Sequence, residues 1–217
     1  MSEERSSSGP NIKRIGLFGN PLKTDLPEAV KVIAAICLRE GVEVLASEDL
    51  DGGIPADIPI LANQDLVEEA DVVIALGGDG TMLRAGRVLG LTGVPLLGVN
   101  LGSLGYLTDV PLDELETALV DLLEGRYHID NRSRVYCSVW REDGKIATAS
   151  ALNDLVVNMG PLPRALDMEL QMDGDSLGRF LGDGIIVSTP TGSTAYNLSA
   201  GGPICQSTVD CLLVAPI

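Results

Sequence analysis

Gly77, Gly78, Asp79, Gly80 and Thr81 stand in the segment IALGGDGTMLR, between an apolar run and a helical pattern. Glycine has no Cβ, so backbone N–H groups at Gly77, Gly78 and Gly80 can come close to a ligand. The helix expected over 81–89 points the positive end of its dipole at the same place, which favours phosphate. A carboxylate is unexpected there. Asp79 repels phosphate unless it binds Mg2+ or takes a proton from a nucleophile, and both roles belong to phosphoryl transfer. Arg84, on the first turns of the helix, can neutralise phosphate charge. Neither GxxxxGKS/T nor GxGxxG occurs, so any phosphate site is of another type. Read alone, the segment also fits a tight strand-to-helix turn with a capping Asp.

Three more segments carry polar groups in unusual settings. In VNLGSLGYLTDV, Gly102 and Gly105 frame an exposed Tyr106. The plain alternative is a glycine loop with a core tyrosine. ALNDLVV puts Asn153 and Asp154 inside an otherwise apolar stretch. Adjacent strand residues face opposite ways, so one of the pair should meet the core or a ligand, unless this is a strand-edge turn. In GDGIIVSTPTGSTAYNLSAGGPI, seven hydroxyls lie between Ser188 and Ser199, among Pro190, Gly192, Gly201 and Gly202. Such a loop is costly to bury without a polar partner. Its alternative is a surface loop.

The elements needed to hold these groups are legible. Strands are expected over 12–18, 42–46, 71–76 and 94–99, and helices over 26–40, 64–70, 81–89 and from Pro111 to 123. Asp25 is placed to cap the first helix and Gly41 to end it. A Gly/Pro loop is expected at Gly52, Gly53 and Pro55. Strands alternating with helices imply an α/β domain with a parallel sheet. The texture changes near Tyr127. Short strand-like runs follow at 135–140, 146–149, 155–157, 166–172 and 185–188, some separated by Asp143-Gly144 and Asp173-Gly174. An α/β domain over 11–126 and an all-β, sandwich-like domain over 127–217 are therefore expected, after a disordered tail over 1–10.

Whole-chain properties narrow the functions. The 217 residues suit one domain or two small ones. The net charge of −16 opposes binding to nucleic acid or anionic membranes. No run of about 18 apolar residues occurs, so no membrane span is expected, and the first ten residues do not read as a signal peptide. Cys37, Cys137, Cys205 and Cys211 show no CxxC spacing, which suits reduced thiols in a cytoplasmic protein. His128 is the only histidine, which removes most His-based catalytic arrangements.

With these segments in place, the sequence resembles the NAD kinase family. The resemblance rests on GGDGT at 77–81, NLGSLGYLT at 100–108, ND at 153–154 and DGIIVSTPTGSTAY at 183–196, in that order and spacing. It implies transfer of the γ-phosphate of ATP, with Mg2+ or another divalent cation, to the 2′-hydroxyl of the adenosine ribose of NAD. Asp79 would be the general base. Gly77, Gly78, Gly80 and Thr81 would cradle phosphate, with Arg84 as a phosphate partner. Gly80 and Tyr106 would also line the NAD pocket. Asn153 and Asp154 would bond NAD hydroxyls or amides, and Arg164 would contact ligand. Asp183 would read the nicotinamide end, and Thr194, Ala195, Tyr196 and Ser199 would line the adenine side. The family pairs an α/β domain with a β-sandwich domain, places its site in the cleft between them, and forms dimers or tetramers. Two departures stand out. Leu181 occupies a position where many relatives carry Arg, and relatives usually continue past the apolar LLVAPI run. The chain is thus expected to be a fragment. The rival readings are a non-catalytic NAD-binding fragment and a lipid kinase sharing the GGDGT turn.

Overall fold

The computed structural model describes residues 12–50, 53–102, 105–161 and 164–217. The expected tail over 1–10, Gly52 of the expected loop, and positions 103–104 of the NLGSLGYLT segment lie outside the described residues. The chain divides into two compact units between Ile129 and Asp130.

The first unit is a six-stranded sheet, all of whose pairings are parallel. Its strands are β1 (Arg14–Gly19), β2 (Glu43–Ser47), β3 (Ile60–Leu61), β4 (Val72–Gly77), β5 (Leu96–Asn100) and β6 (Val110–Pro111), in the order β3-β2-β1-β4-β5-β6. Among the described residues, four helices accompany them: α1 (Leu26–Glu40), α2 (Asn63–Glu69), α3 (Asp79–Leu89) and α4 (Leu115–Leu123). Alternate residues of β4 feed two cores, as strand geometry requires. Ile74 and Leu76 pack with Ala29, Ile33 and Cys37 of α1 and Leu115 and Leu119 of α4. Val73 and Ala75 pack with Leu66 of α2 and Ala85 and Leu89 of α3. Helices thus cover both faces, and this is why β4 is buried along its length. Burial pushes the Cys37 thiol up to about 11, so it is core material rather than a reagent.

The helix ends show where local rules held. Gly41 adopts a left-handed φ of 70° and its N–H meets the carbonyls of Cys37 and Leu38, which stops α1. Asp25 occupies the N-cap position, but its side chain makes no capping bond, so that expected role is not realised. Pro111 does not start a helix. It lies in the edge strand β6, where a missing N–H costs little, and a 3-10 turn at Leu112–Glu114 precedes α4.

The second unit is antiparallel throughout. A hairpin joins β7 (Val135–Arg141) to β8 (Gly144–Ala151), and another joins β10 (Leu166–Met172) to β11 (Asp175–Gly182). β9 (Asp154–Asn158), β12 (Gly184–Ser188) and β13 (Leu213–Pro216) form a three-stranded sheet with β12 in the middle. A 3-10 turn at Thr191–Thr194 and the short α5 (Tyr196–Ser199) follow β12. β11 was not expected, because DSLGRFLG holds no β-branched residue. Its partner β10 and the turn at Asp173 and Gly174, both at positive φ, make it a strand. No helix among the described residues is long and apolar enough to cross a membrane.

Candidate functional site

The sheet order makes one place special. The chain steps outward from β1 to β2 and β3, then returns to β4 on the other side of β1. The carboxyl ends of β1 and β4 therefore flank a switch point, where open α/β sheets bind ligands. Gly19 ends β1 and Gly77 ends β4. The N–H of Asn20 donates to the Leu76 carbonyl at 3.2 Å, which ties the two ends together.

The glycines at this point differ in purpose. A Cβ on Gly77 would stand 2.2 Å from Thr81 Oγ1, so packing alone demands glycine there. A Cβ on Gly78 or Gly80 would meet nothing within 4 Å, and neither residue has a positive φ. The fold gives no internal reason for glycine at these two positions. A cavity of about 390 Å³ opens there, lined by Asn20, Lys23, Gly78, Gly80, Thr81 and Arg84. Arg84 crosses from α3 to β1. Its Nη2 donates to the Gly19 carbonyl at 2.5 Å and lies 3.4 Å from Asp49 Oδ2.

α3 begins at Asp79, two residues before the expected start at Thr81. Asp79 is thus on the first turn, and its carboxylate is engaged. Oδ2 accepts the N–H of Tyr106 and Oδ1 accepts the N–H of Leu107, both at 2.9 Å. The residue that looked like a turn cap instead grips the loop after β5. The Tyr106 side chain is 65% exposed. Gly105 permits the grip, since a Cβ there would stand 2.4 Å from Asp79 Oδ1 and 2.5 Å from Thr108 Oγ1. Thr108 is buried, and its hydroxyl has no hydrogen-bond partner. Sequence reasoning did not single out Asn20, Lys23 or Thr108. The signal was positional: Asn20 and Lys23 follow the first strand, which borders the switch point once the sheet order is known.

In the second unit, a polar cluster forms where β9 begins and β12 ends. Asp154 is registered opposite Ser188. Asn153 precedes β9, and its carbonyl accepts the N–H of Thr189 at 2.8 Å and the hydroxyl of Ser188 at 3.2 Å. Thr189 Oγ1 donates to the Leu152 carbonyl and accepts the N–H of Gly192. Ser193 Oγ donates to the Cys205 carbonyl and accepts the Cys205 N–H, each at 3.1 Å. Three of the seven hydroxyls are thus consumed in holding the loop. Two other buried oxygens, Asn153 Oδ1 and Thr191 Oγ1, have no partner. Thr191 is only 4% exposed, and an orphaned buried hydroxyl calls for an explanation such as a ligand. It was overlooked because nothing in its sequence position separates it from its structural neighbours. Burial raises the Asp154 carboxyl above its ordinary value.

The other named residues of this unit sort into two places. Thr194 and Ala195 are half-buried beside the cluster, and Tyr196 and Ser199 are exposed on α5. Asp183 is exposed at the opposite end of β12, five residues and so about 16 Å from Ser188 at the strand rise of ~3.3 Å per residue. Arg164 lies at that same end. It is exposed just before Leu166, whose partner Gly182 adjoins Asp183. Among the described residues, no group of three or more His, Cys, Asp or Glu could hold a metal ion.

Comparisons with known proteins show the family. Residues 15–127 match the model of the ATP-NAD kinase N-terminal domain, and residues 152–217 match that of the ATP-NAD kinase C-terminal domain. The chain is 48% identical over 153 residues to the NAD kinase of Geotalea daltonii, covering 70% of this chain and 54% of that one. It is 39% identical over 207 residues to the NAD kinase of Acidobacterium capsulatum, covering 95% of this chain and 72% of that one. The chain thus spans between about half and three quarters of these relatives. Among solved structures, yeast NADH kinase complexed with NADH superimposes with a TM-score of 0.84 at 29% identity, covering 97% of this chain and 70% of that one. An NAD kinase from Archaeoglobus fulgidus in complex with ATP gives a TM-score of 0.71 at 28% identity, covering 94% and 72%. These matches do not favour the lipid-kinase alternative. With two family models side by side on one chain, and the GGDGT turn seated at the switch point of its sheet, the protein belongs to the NAD kinase family.

Proposed function

We propose that this chain binds NAD and transfers the γ-phosphoryl group of ATP to the 2′-hydroxyl of its adenosine ribose, giving NADP and ADP. The observation that carries the reading is the pair Gly78 and Gly80, glycines with no intramolecular reason beside the cavity at the start of α3. In that first turn the Thr81 N–H donates to the Gly78 carbonyl at 2.9 Å, while the N–H groups of Asp79 and Gly80 have no helical partner and suit phosphate. Asp79 takes the ribose proton, the oxygen attacks the γ-phosphorus in line, and ADP leaves. Each Asp79 oxygen spends one acceptor site on a loop amide and keeps lone-pair capacity for the substrate. A divalent cation, held by Asp79 and the phosphates themselves, would neutralise developing charge, which is the usual Mg2+ arrangement of few carboxylates plus substrate oxygens.

On the NAD side, Asn153, Asp154 and Thr191 offer acceptors at one end of the second unit's sheet, while Asp183 and Arg164 stand at the other. A dinucleotide is long enough to need two such places. A reducing cytoplasm suits the four free thiols. A homodimer or homotetramer would cover the exposed Tyr136, Trp140 and Ile146 of the β7–β8 hairpin. Light scattering that finds only monomer at assay concentrations refutes that last point.

Two predictions test the reading. Gly78→Ala and Gly80→Ala keep the wild-type melting temperature, because the added methyl meets nothing, yet NADP formation falls at least tenfold. Unchanged activity in both would remove the argument for phosphate at this turn. The second concerns Asp154. Its raised pKa means the folded state holds the proton more tightly than the unfolded chain. That contribution favours folding at low pH and is lost as pH rises through the raised value, leaving a net cost at neutrality. Asp154→Asn should therefore raise the melting temperature at pH 7, with the gain shrinking as pH falls below the raised value, while weakening NAD binding. A lowered melting temperature at pH 7 counts against this.

A further inference from the structure

The cavity beside Gly78 and Gly80 contains two cationic side chains, and they are not equivalent. Arg84 is committed, with its guanidinium on the Gly19 carbonyl and near Asp49. Lys23 forms no ion pair among the described residues. Its backbone is fixed by a turn at the end of β1, where the Lys23 N–H donates to the Asn20 carbonyl at 3.0 Å. Its side chain reaches towards the loop after β5, and Nζ lies 3.0 Å from where a Cβ on Gly102 would stand. β4 sits between β1 and β5 in the sheet. The Lys23 side chain therefore spans the end of β4, across the Gly77-Gly78 turn. Gly102 leaves the ammonium its room.

We infer that Lys23 holds the terminal phosphates of the phosphoryl donor above the Gly78–Gly80 turn. The inference rests on the phosphoryl-transfer reading above and adds a residue to it. A lysine is suited to the task because its ammonium is a mobile point charge with three donors, able to follow a phosphoryl group that moves during transfer. The chain's net charge of −16 repels polyanions at long range, so an uncommitted cation at the turn has local work to do. Arg84, held by β1, sets the wall of the cavity, and Lys23 meets the ligand. The ligand chemistry is a chain of at least three phosphates, supplied by ATP or by inorganic polyphosphate.

The test uses the full chain with Lys23→Gln and Lys23→Arg, and with ATP, inorganic tripolyphosphate and NAD as separate probes, each with Mg2+. Binding is read by thermal shift and titration, and turnover by NADP formation. Loss of a charge-assisted contact should weaken binding of the phosphate probe roughly 10- to 100-fold in Lys23→Gln. The ligand-free melting temperature and NAD affinity stay at wild-type values, the donor KM rises while the NAD KM does not, and Lys23→Arg recovers part of the loss. A loss seen with ATP alone, or with both phosphate probes, supports the inference and identifies the source. Wild-type donor affinity in Lys23→Gln overturns it. An equal loss of NAD affinity also overturns it, since Lys23 would then be structural. A wild-type chain that binds neither phosphate probe overturns the kinase reading itself, and the Lys23 role with it.

Discussion

Asp79→Asn lowers NADP formation by roughly 10²–10⁴-fold, the usual contribution of a general base. The structure shows why this variant needs a companion. Asparagine offers one carbonyl and one NH2 where the two carboxylate oxygens accept the N–H groups of Tyr106 and Leu107. One of those amides then faces a donor, a cost of about 1–3 kcal/mol. The loop after β5 loosens as well as the base being lost. Gly105→Ala separates the two effects. Its methyl would press within 2.4 Å of Asp79 Oδ1 and disturb the same grip, but the carboxylate survives. If Asp79 is the base, kcat falls far more in Asp79→Asn than in Gly105→Ala, although both lower the melting temperature. Equal losses of kcat would make Asp79 a loop anchor and nothing more.

That double role could not be read from GGDGT. The turn, its glycines and the following helix were legible because a buried strand, a glycine run and an apolar periodicity stand next to each other in the sequence. Asp79's partners were not, because Tyr106 and Leu107 are 27 and 28 residues away and meet it through backbone amides, which every residue possesses. The same limit explains Lys23. Its sequence context, NPLK after a strand, marks only a turn. It becomes part of a cavity once β4 is known to lie between β1 and β5. Periodicity found most of the parallel sheet, but the two-residue strands β3 and β6 carry no period at all. The antiparallel unit was visible through its turns, and β11 escaped because its residues gain strand character only from pairing with β10. In the segment from Ser188 to Ser199 the chemistry was obvious and its allotment was not. Ser188, Thr189 and Ser193 bind the chain to itself, while Thr191, of the same type and equally buried, is left over.

Gly192→Ala should produce a loss of a different kind from those at the GGDGT turn. A Cβ on Gly192 would stand 2.2 Å from the Asn153 carbonyl oxygen, 2.5 Å from its carbon and 2.6 Å from Ser188 Oγ. The obstacle is backbone, and that carbonyl is already pinned by the N–H of Thr189 and the hydroxyl of Ser188. It cannot swing aside without surrendering both bonds. The turn at Thr191–Thr194 must then separate from the start of β9. Overpacking of this sort costs about 1–3 kcal/mol, and a lost buried bond adds about 1 kcal/mol. For a chain of this length that corresponds to a fall in melting temperature of roughly 5–15 °C. NAD affinity should drop more than tenfold in the same variant, because the turn that carries Thr191 no longer rests on Asn153. Gly78→Ala gives the opposite signature, with function lost and stability kept. The contrast follows from where the added methyl goes, into a carbonyl at Gly192 and into open space at Gly78. A Gly192→Ala chain that melts within about 1 °C of wild type and titrates normally with NAD would mean that the turn does not rest on Asn153. The cluster proposed to receive the dinucleotide would then have no fixed geometry.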